Sequence, residues 1–324
     1  MAKKYIAPKI IEIDIHQHDM ANFLMCPVKF QVNNVLNYHP RGISKALNIG
    51  DLFAKCVYWL HKGTPIAECM AYVDKKQEDL ILLATGQEAV DELETSVVTV
   101  QAMLNGYKET FLEKKTINIT KFNNAGGIEG FEEITIKEIF PEYHITVPIK
   151  IGNYVFNYVN RLDAKIITTD NRVFILELKT TSQFDSDLVK KLNTNFQINS
   201  YWFALNEKEK VKVDGILYRY IKKPSIKQKQ NETLDNYRKR IMLDYLDRPD
   251  NYFKEECLFF NQEMTAKFKK NMNYWFTELL RCYLMNEWVP RGVACDAHFG
   301  LCEYIKYCNE PTKDTLMSFY KKGE

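Results

Sequence analysis

Two β-patterned runs joined by one short polar turn constrain this chain more than any other feature. Asn160-Arg161-Leu162-Asp163-Ala164-Lys165 and Ile175-Leu176-Glu177-Leu178-Lys179-Thr180 alternate as strands do, lie among Ile, Val and Phe, and flank Thr169-Asp170-Asn171. That pattern reads as a β-hairpin. If the hairpin is symmetric about Asp170, Glu177 falls opposite Asp163, because both are equally far from the turn centre. Strand side chains repeat every two residues, so Lys179 shares the face of Glu177 while Leu176 and Leu178 take the other. One face is acidic and the other belongs to a core.

Two carboxylates side by side in a half-buried sheet repel each other, a cost tolerated when a cation lies between them or one is protonated. Oxygen ligands suit a hard divalent ion, magnesium or manganese. A lysine beside such an ion can act on the attacking water or steady developing negative charge. The chemistry these residue types imply is metal-assisted hydrolysis of a phosphodiester. The plainer reading of Glu177 and Lys179 is a pair of exposed cross-strand charges.

Beyond Lys179 the chain runs through Thr180-Thr181-Ser182 into an amphipathic stretch, 187–205, with Leu188, Leu192, Phe196, Tyr201 and Leu205 near helical spacing and Gln197 one turn before Tyr201. Asp163, then Glu177-Leu178-Lys179, then Gln197-Ile198-Asn199-Ser200-Tyr201, in this order, resembles the PD-(D/E)XK nuclease superfamily, specifically its RecB-like branch with a Q-x-x-x-Y helix. The resemblance implies that Asp163 and Glu177 bind metal, that the Leu178 carbonyl adds a ligand, and that Lys179 assists the water. It also implies that Gln197 and Tyr201 organise the site and the DNA strand.

At 324 residues, with 46% hydrophobic and 27% charged content, the chain is ordinary for a soluble globular protein. No stretch approaches the roughly eighteen uninterrupted apolar residues of a membrane span, and Met1-Ala2-Lys3-Lys4 leads into no signal-like run, so no membrane contact and a cytoplasmic location are expected. A net charge of +2 demands no polyanionic partner by itself. Between Lys208 and Lys229, however, eight Lys or Arg stand against only Glu209 and Asp214 and interleave with Tyr218 and Tyr220, a composition suited to tracking a phosphate backbone.

Met20 to Phe30 reads as a short helical segment leading into Cys26-Pro27, and 44–60 as an amphipathic helix entered after His39-Pro40-Arg41-Gly42. In RecB-like nucleases the corresponding helix often carries a Gly followed four residues later by a metal-binding His. Here Gly50 is followed at that position by Ala54, which leaves the fourth ligand unassigned, with Asp51 near and His61 read as an exposed helix-end residue. Helical pattern fills 65–115 as an insert over the site, 123–130 reads as a loop, and 134–149 and 211–221 read as strands. Charged helix follows at 226–252, then a long helix at 264–286 with Trp275, Leu279, Leu280 and Leu284 as core.

A second constellation closes the chain: Cys295, Cys302 and Cys308 within fourteen residues. Thiols stay reduced in the cytosol, so a tight group there points to metal rather than disulfides. Three thiolates leave one place open in a four-ligand site, for which Cys26 is the candidate and His298 a weaker alternative. A lone N-terminal Cys with a C-terminal trio resembles the iron-sulfur nucleases of the same branch, including CRISPR-associated exonucleases and the AddB helicase-nuclease subunit, which implies a 4Fe-4S cluster. Zinc on four cysteines is the competing reading. Cys56, Cys69, Cys257 and Cys282 read as buried thiols.

With the resemblance, the expected fold is α/β: a PD-(D/E)XK restriction-endonuclease-like core, its mixed central sheet flanked by helices, in one nuclease domain over 1–324. Within it fall a helical region (44–116), a catalytic core (131–221) and a C-terminal helical and cysteine-cluster region (226–324) joined by Cys26. The implied function is a divalent-metal-dependent DNA exonuclease on single-stranded or free ends, in recombination, repair or end processing of phage or CRISPR type. The G-x-x-x-x-G-K-[ST] helicase signature does not occur, so unwinding would fall to a helicase, recombinase or CRISPR-type partner. A non-catalytic DNA-binding module of the same fold and a structure-specific endonuclease are the rival readings.

Overall fold

Alternating apolar residues on either side of a polar turn make a hairpin, and the rest of the sheet is built outward from it. The computed structural model describes residues 11–41, 49–82, 84, 86–122, 128–184, 191–192, 194–210, 212–259, 262–292, 295 and 301–323. In chain order the elements are β1 (Ile11–His16), α1 (Gln17–Met25), α2 (Pro27–Phe30), β2 (Tyr38–Pro40), α3 (Ile49–His61), α4 (Ile66–Ile81), α5 (Gln87–Tyr107), β3 (Thr116–Phe122), β4 (Ile128–Ile151), β5 (Tyr154–Thr168), β6 (Val173–Thr181), α6 (Phe196–Glu209), β7 (Gly215–Lys222), α7 (Leu234–Asp247), β8 (Phe253–Leu258), α8 (Gln262–Met285), α9 (Ile305–Asn309), α10 (Lys313–Phe319) and β9 (Tyr320–Lys322).

At the hairpin turn Asn171 adopts φ 64°, a left-handed conformation that Asn tolerates better than most residues. The flanking strands pair Ile167 with Val173, Ile166 with Phe174, Lys165 with Ile175 and Ala164 with Leu176, the register centred on Asp170. One more step places Asp163 opposite Glu177. Among the described residues the sheet has seven strands in the order β3-β4-β5-β6-β7-β8, with β1 added on β5. β4 follows β5 antiparallel along most of its length, β6 and β7 are parallel, and α6 makes the crossover between them.

The position of the site follows from one irregularity. β6 bonds β5 only between Ala164 and Ile167, while β1 bonds it, in parallel, only between Tyr154 and Val159. Because β4 occupies the other edge, residues 160–163 lie in a fork where one neighbour has left and the next has not begun. A cleft forms there with walls fixed by backbone pairing.

Helices cover both faces. α6 and α8 pack on one side through Ile198, Phe203, Met272, Phe276 and Leu279 against Phe156, Tyr158, Ile175 and Ile216. α3, α5 and α7 pack on the other through Phe53, Val57, Val100, Tyr107, Ile241 and Tyr245. Each such large apolar side chain contributes about 1.5–3 kcal/mol by leaving water. α6 is pinned to β5 by buried polar groups as well: Tyr158 Oη lies 2.6 Å from Ser200 Oγ, which lies 2.5 Å from Asn160 Oδ1. Its far end is held by Glu209, which accepts from Lys165 Nζ at 2.5 Å and from Tyr143 Oη.

Several expectations are corrected. The basic aromatic stretch is not a nucleic-acid surface at its centre, because Tyr218, Arg219 and Tyr220 of β7 are buried. Arg219 donates to Glu255 Oε2 at 2.6 Å and to Tyr107 Oη at 3.0 Å beneath the sheet, with Phe111 4.1 Å from its guanidinium carbon. His61 is not a solvated helix end: its Nε2 lies 3.0 Å from the Tyr107 hydroxyl. β1, β3 and β8 add strands to those expected, and β4 begins at Ile128. The helix carrying Gln197 starts only at Phe196, where Asn195 Oδ1 accepts from Ile198 N at 3.1 Å, and α7 starts only after Thr233, which caps Asn236 N. Leu284 is 61% exposed instead of core. Residues 44–48 and 185–190, and with them Leu188, lie outside the described residues.

The two ends of the described chain meet. β2 and β9 pair antiparallel, Tyr304 stacks on Tyr320 at 5.5 Å, Lys29 Nζ lies 3.0 Å from Glu303, and Arg41 donates to the Met317 carbonyl at 2.7 Å.

Candidate active site in the β5–β6 fork

Asp163 comes from β5 and Glu177 from β6, and the fork points both into a cleft of about 720 Å³ that Lys179, Gln197 and Tyr201 also line. Asp163 Oδ2 accepts the Leu178 N–H at 2.7 Å, so the strand itself orients that carboxyl. Glu177 is 1% exposed; Lys179 Nζ lies 2.8 Å from its Oε1, and its Oε2 is buried with no N–H or O–H donor among the described residues, only the Asp163 carboxyl beside it. An orphaned buried carboxylate oxygen is costly. A divalent ion between the two carboxyls would satisfy that oxygen. From α6, Gln197 Nε2 donates to Tyr201 Oη at 2.7 Å, which fixes both at the cleft wall. The five residues singled out in the sequence therefore converge. The plainer view of Glu177 as an exposed cross-strand charge is corrected, because at Glu177 the strand pairs with β7 through Tyr218 and the side chain is buried.

Charge follows from that burial. Desolvation, then Asp163, pushes the Glu177 carboxyl well above the ordinary glutamate range, and desolvation likewise raises Asp163. Burial alone would lower Lys179, but Glu177 and then Asp163 outweigh it and hold the ammonium above its usual value. A lysine held charged in this way serves better as a fixed positive charge than as a proton acceptor. Without a cation the pair keeps a proton; with one, both carboxylates can ionise.

The rest of the wall was not singled out in the sequence. His16 and His18 stack at 5.5 Å where β1 passes into α1, and Arg161 and His144, cross-strand partners on β5 and β4, line the same cleft. The β1–β5 pairing that brings His16 and His18 there joins distant segments in parallel, which no local sequence pattern signals. Gly50, Asp51 and Ala54 of α3 form the roof, so the position where the resemblance expects a histidine faces the cleft with a methyl group. A second cavity of about 420 Å³ adjoins along α3, with Asp163 and Arg161 on one side and His61 on the other. Burial, then Arg219, pushes His61 down to about 3, so its imidazole is neutral.

At the other constellation, Cys302 N donates to the Cys295 carbonyl at 3.0 Å, and Cys26, Cys302 and Cys308 pack in one cluster with Val32, Tyr304 and Tyr320. Burial, then the neighbouring Cys26, Cys302 and Cys295, pushes the Cys308 thiol up to about 11, which makes the four sulfurs electrostatic neighbours. A metal that takes thiolates reverses that cost, so the donor set fits either a cluster or zinc. Among the described residues, no group of three or more His, Cys, Asp or Glu is already arranged to hold an ion. His298 lies outside the described residues. Cys56, Cys69 and Cys282 are buried as expected, whereas Cys257 is half-buried.

No helix among the described residues is long and apolar enough to cross a membrane. Among curated proteins, none matches the chain. Of solved structures, the chain is similar to that of SSO0001 at 15% identity over 72% of this chain and 75% of the other, with a TM-score of 0.27, a likeness too loose to carry any argument. The sequence matches the family model of the PD-(D/E)XK nuclease superfamily over residues 17–309, a span that includes the fork and all four clustered cysteines. The chain belongs to the PD-(D/E)XK nuclease superfamily, whose members are nucleases that typically use divalent metals.

Proposed function

We propose that this protein is a divalent-metal-dependent deoxyribonuclease that shortens single-stranded or free DNA ends, a member of the RecB-like iron-sulfur branch working in recombination, repair or end processing. The observation that carries the reading is Glu177 Oε2, buried beside Asp163 without a hydrogen-bond donor among the described residues, in an open cleft. Magnesium or manganese bound there would activate water and neutralise the oxygen that leaves. Asp163, Glu177 and the Leu178 carbonyl would hold the ion, Lys179 would steady charge developing on the phosphoryl group, and Gln197 with Tyr201 would fix the strand.

Cys26, Cys295, Cys302 and Cys308 would hold a 4Fe-4S cluster that ties the N-terminal segment to the C-terminal one, with zinc as the alternative occupant. On this reading 1–324 acts as one domain in the cytoplasm, where its cysteine thiols stay reduced, and a helicase, recombinase or CRISPR-type partner supplies duplex opening. Ala54 in the cleft roof favours a second reading, a DNA-binding module without catalysis.

The test incubates purified protein and manganese with end-labelled linear and with circular single-stranded DNA. An exonuclease degrades the line and spares the circle. Cutting of both would mean an endonuclease, and cutting of neither would leave the binding module.

A further inference from the structure

Beside the carboxyl pair stands an arginine that, among the described residues, makes no close structural contact. Arg161 lies two residues before Asp163 on β5, roughly 6–7 Å along the strand, and lines the same cleft. Its side chain is 66% exposed, its one ion pair is a long 3.9 Å approach to Glu142 Oε1, and it donates no hydrogen bond among the described residues. A guanidinium carries five donors in a planar fork suited to phosphate, so an unsatisfied one in a catalytic cleft has capacity to spare.

Two imidazoles stand beside it. His144 faces it across the β4–β5 pair, and His18 is close enough for Arg161 to oppose its protonation. Asp19, held by Asn34 Nδ2 at 2.5 Å and by the His16 N–H at 3.0 Å, keeps His18 Nε2 at 3.2 Å and lines it up at the cleft mouth. The cleft wall thus passes from the half-buried Asp163 and the buried Glu177 to an exposed arginine and two exposed imidazoles. Positive charge flanking an acidic centre draws a polyanion toward it.

We infer that Arg161, flanked by His18 and His144, is a subsite for the DNA phosphate next to the one that is cut. This rests on the nuclease reading above and adds a positioning contact to it. The alternative role for Arg161, compensating the charge of Asp163, makes a different prediction: it would act through metal affinity and ignore the neighbouring phosphate.

The experiment scans one uncharged methylphosphonate linkage along single-stranded oligonucleotides, on either side of the first bond cut, with wild type, Arg161→Ala and Arg161→Lys. At one flanking position the neutral linkage should cost the wild type roughly tenfold in kcat/KM, mostly through KM, and cost Arg161→Ala nothing further, because the contact is already gone. Arg161→Lys should keep part of the effect, and Arg161→Ala should lower the salt slope of binding by about one. Manganese affinity without DNA should be unchanged. Penalties that multiply at every position, or a weakened manganese affinity that accounts for the loss, would overturn the subsite. If the wild type binds DNA but never cuts it, the nuclease reading alone falls, and the same scan read by fluorescence anisotropy decides the subsite.

Discussion

The acidic fork and the cysteine junction are both assembled from residues far apart in the sequence, but they are held by different means. Asp163 and Glu177 stand on paired strands, and one of them is oriented by a backbone N–H of the other strand. Cys26 precedes a four-residue helix, Cys295 and Cys302 lie outside helices and strands, and Cys308 sits on a five-residue helix, with a three-residue strand pair nearby. The fork is held by backbone pairing and keeps a proton on its carboxyl pair until a cation takes its place. The junction has little regular structure and is held by short strand pairing, ring stacking and an apolar cluster, to which a metal on the thiolates would add under the proposed reading. A rigid acidic site suits chemistry; a clasp between chain segments suits stability.

The largest effect expected at the fork comes from Asp163→Ala, which should lower manganese-dependent cleavage by roughly three orders of magnitude while leaving DNA binding and iron content in place. At the junction, Cys26→Ala should do the reverse: the brown colour, iron and acid-labile sulfide are lost and the melting temperature falls. Cross-linking so long a loop is worth roughly 4–5 kcal/mol, and metal binding adds to it. Full iron retained in Cys26→Ala would place the fourth ligand elsewhere, and a colourless protein with one zinc would change the occupant but not the comparison.

Lys179→Ala is expected to slow the single-turnover rate about a hundredfold with little change in binding, since its charge acts on the transition state. An unchanged rate would remove it from the mechanism. Tyr201→Phe, which loses the Gln197 contact but keeps the ring, should cost only severalfold, chiefly in KM.

The fork also predicts a pH dependence. Glu177 is raised from the ordinary 4.5 to about 8 by desolvation and Asp163, so the metal-free fold holds a proton that the unfolded chain releases. A raised pKa contributes stability that is present below 4.5 and is lost as pH rises through about 8. Thermal melts of metal-free protein should therefore fall across that window, and manganese, which displaces the proton, should stabilise more at its upper end. In Glu177→Gln this contribution to the slope should vanish.

How much of this was legible in the sequence tracks the range of the interactions. The hairpin register depends on a local turn and a two-residue period, so Asp163, Glu177 and Lys179 could be placed from neighbours alone. Gln197 and Tyr201 needed only a helical turn. The pairing of β1 with β5 joins Ile11 to Tyr154, and no local pattern in the 5–30 segment announces a parallel partner. For the same reason Arg161 was read as a strand residue and not as a wall of the site. Tyr218, Arg219 and Tyr220 misled because an arginine paired with Glu255 and Tyr107 is as basic in sequence as one facing solvent.

The central claim, that the Asp163–Glu177 carboxyl pair is the metal site that performs hydrolysis, is tested most directly by single-turnover cleavage of an end-labelled single strand in manganese by wild type and Glu177→Gln. The substitution keeps shape and removes charge. The account predicts cleavage by the wild type and a rate lower by roughly three orders of magnitude in the variant, with an equal or higher melting temperature in the absence of metal. Comparable cleavage by Glu177→Gln would contradict it.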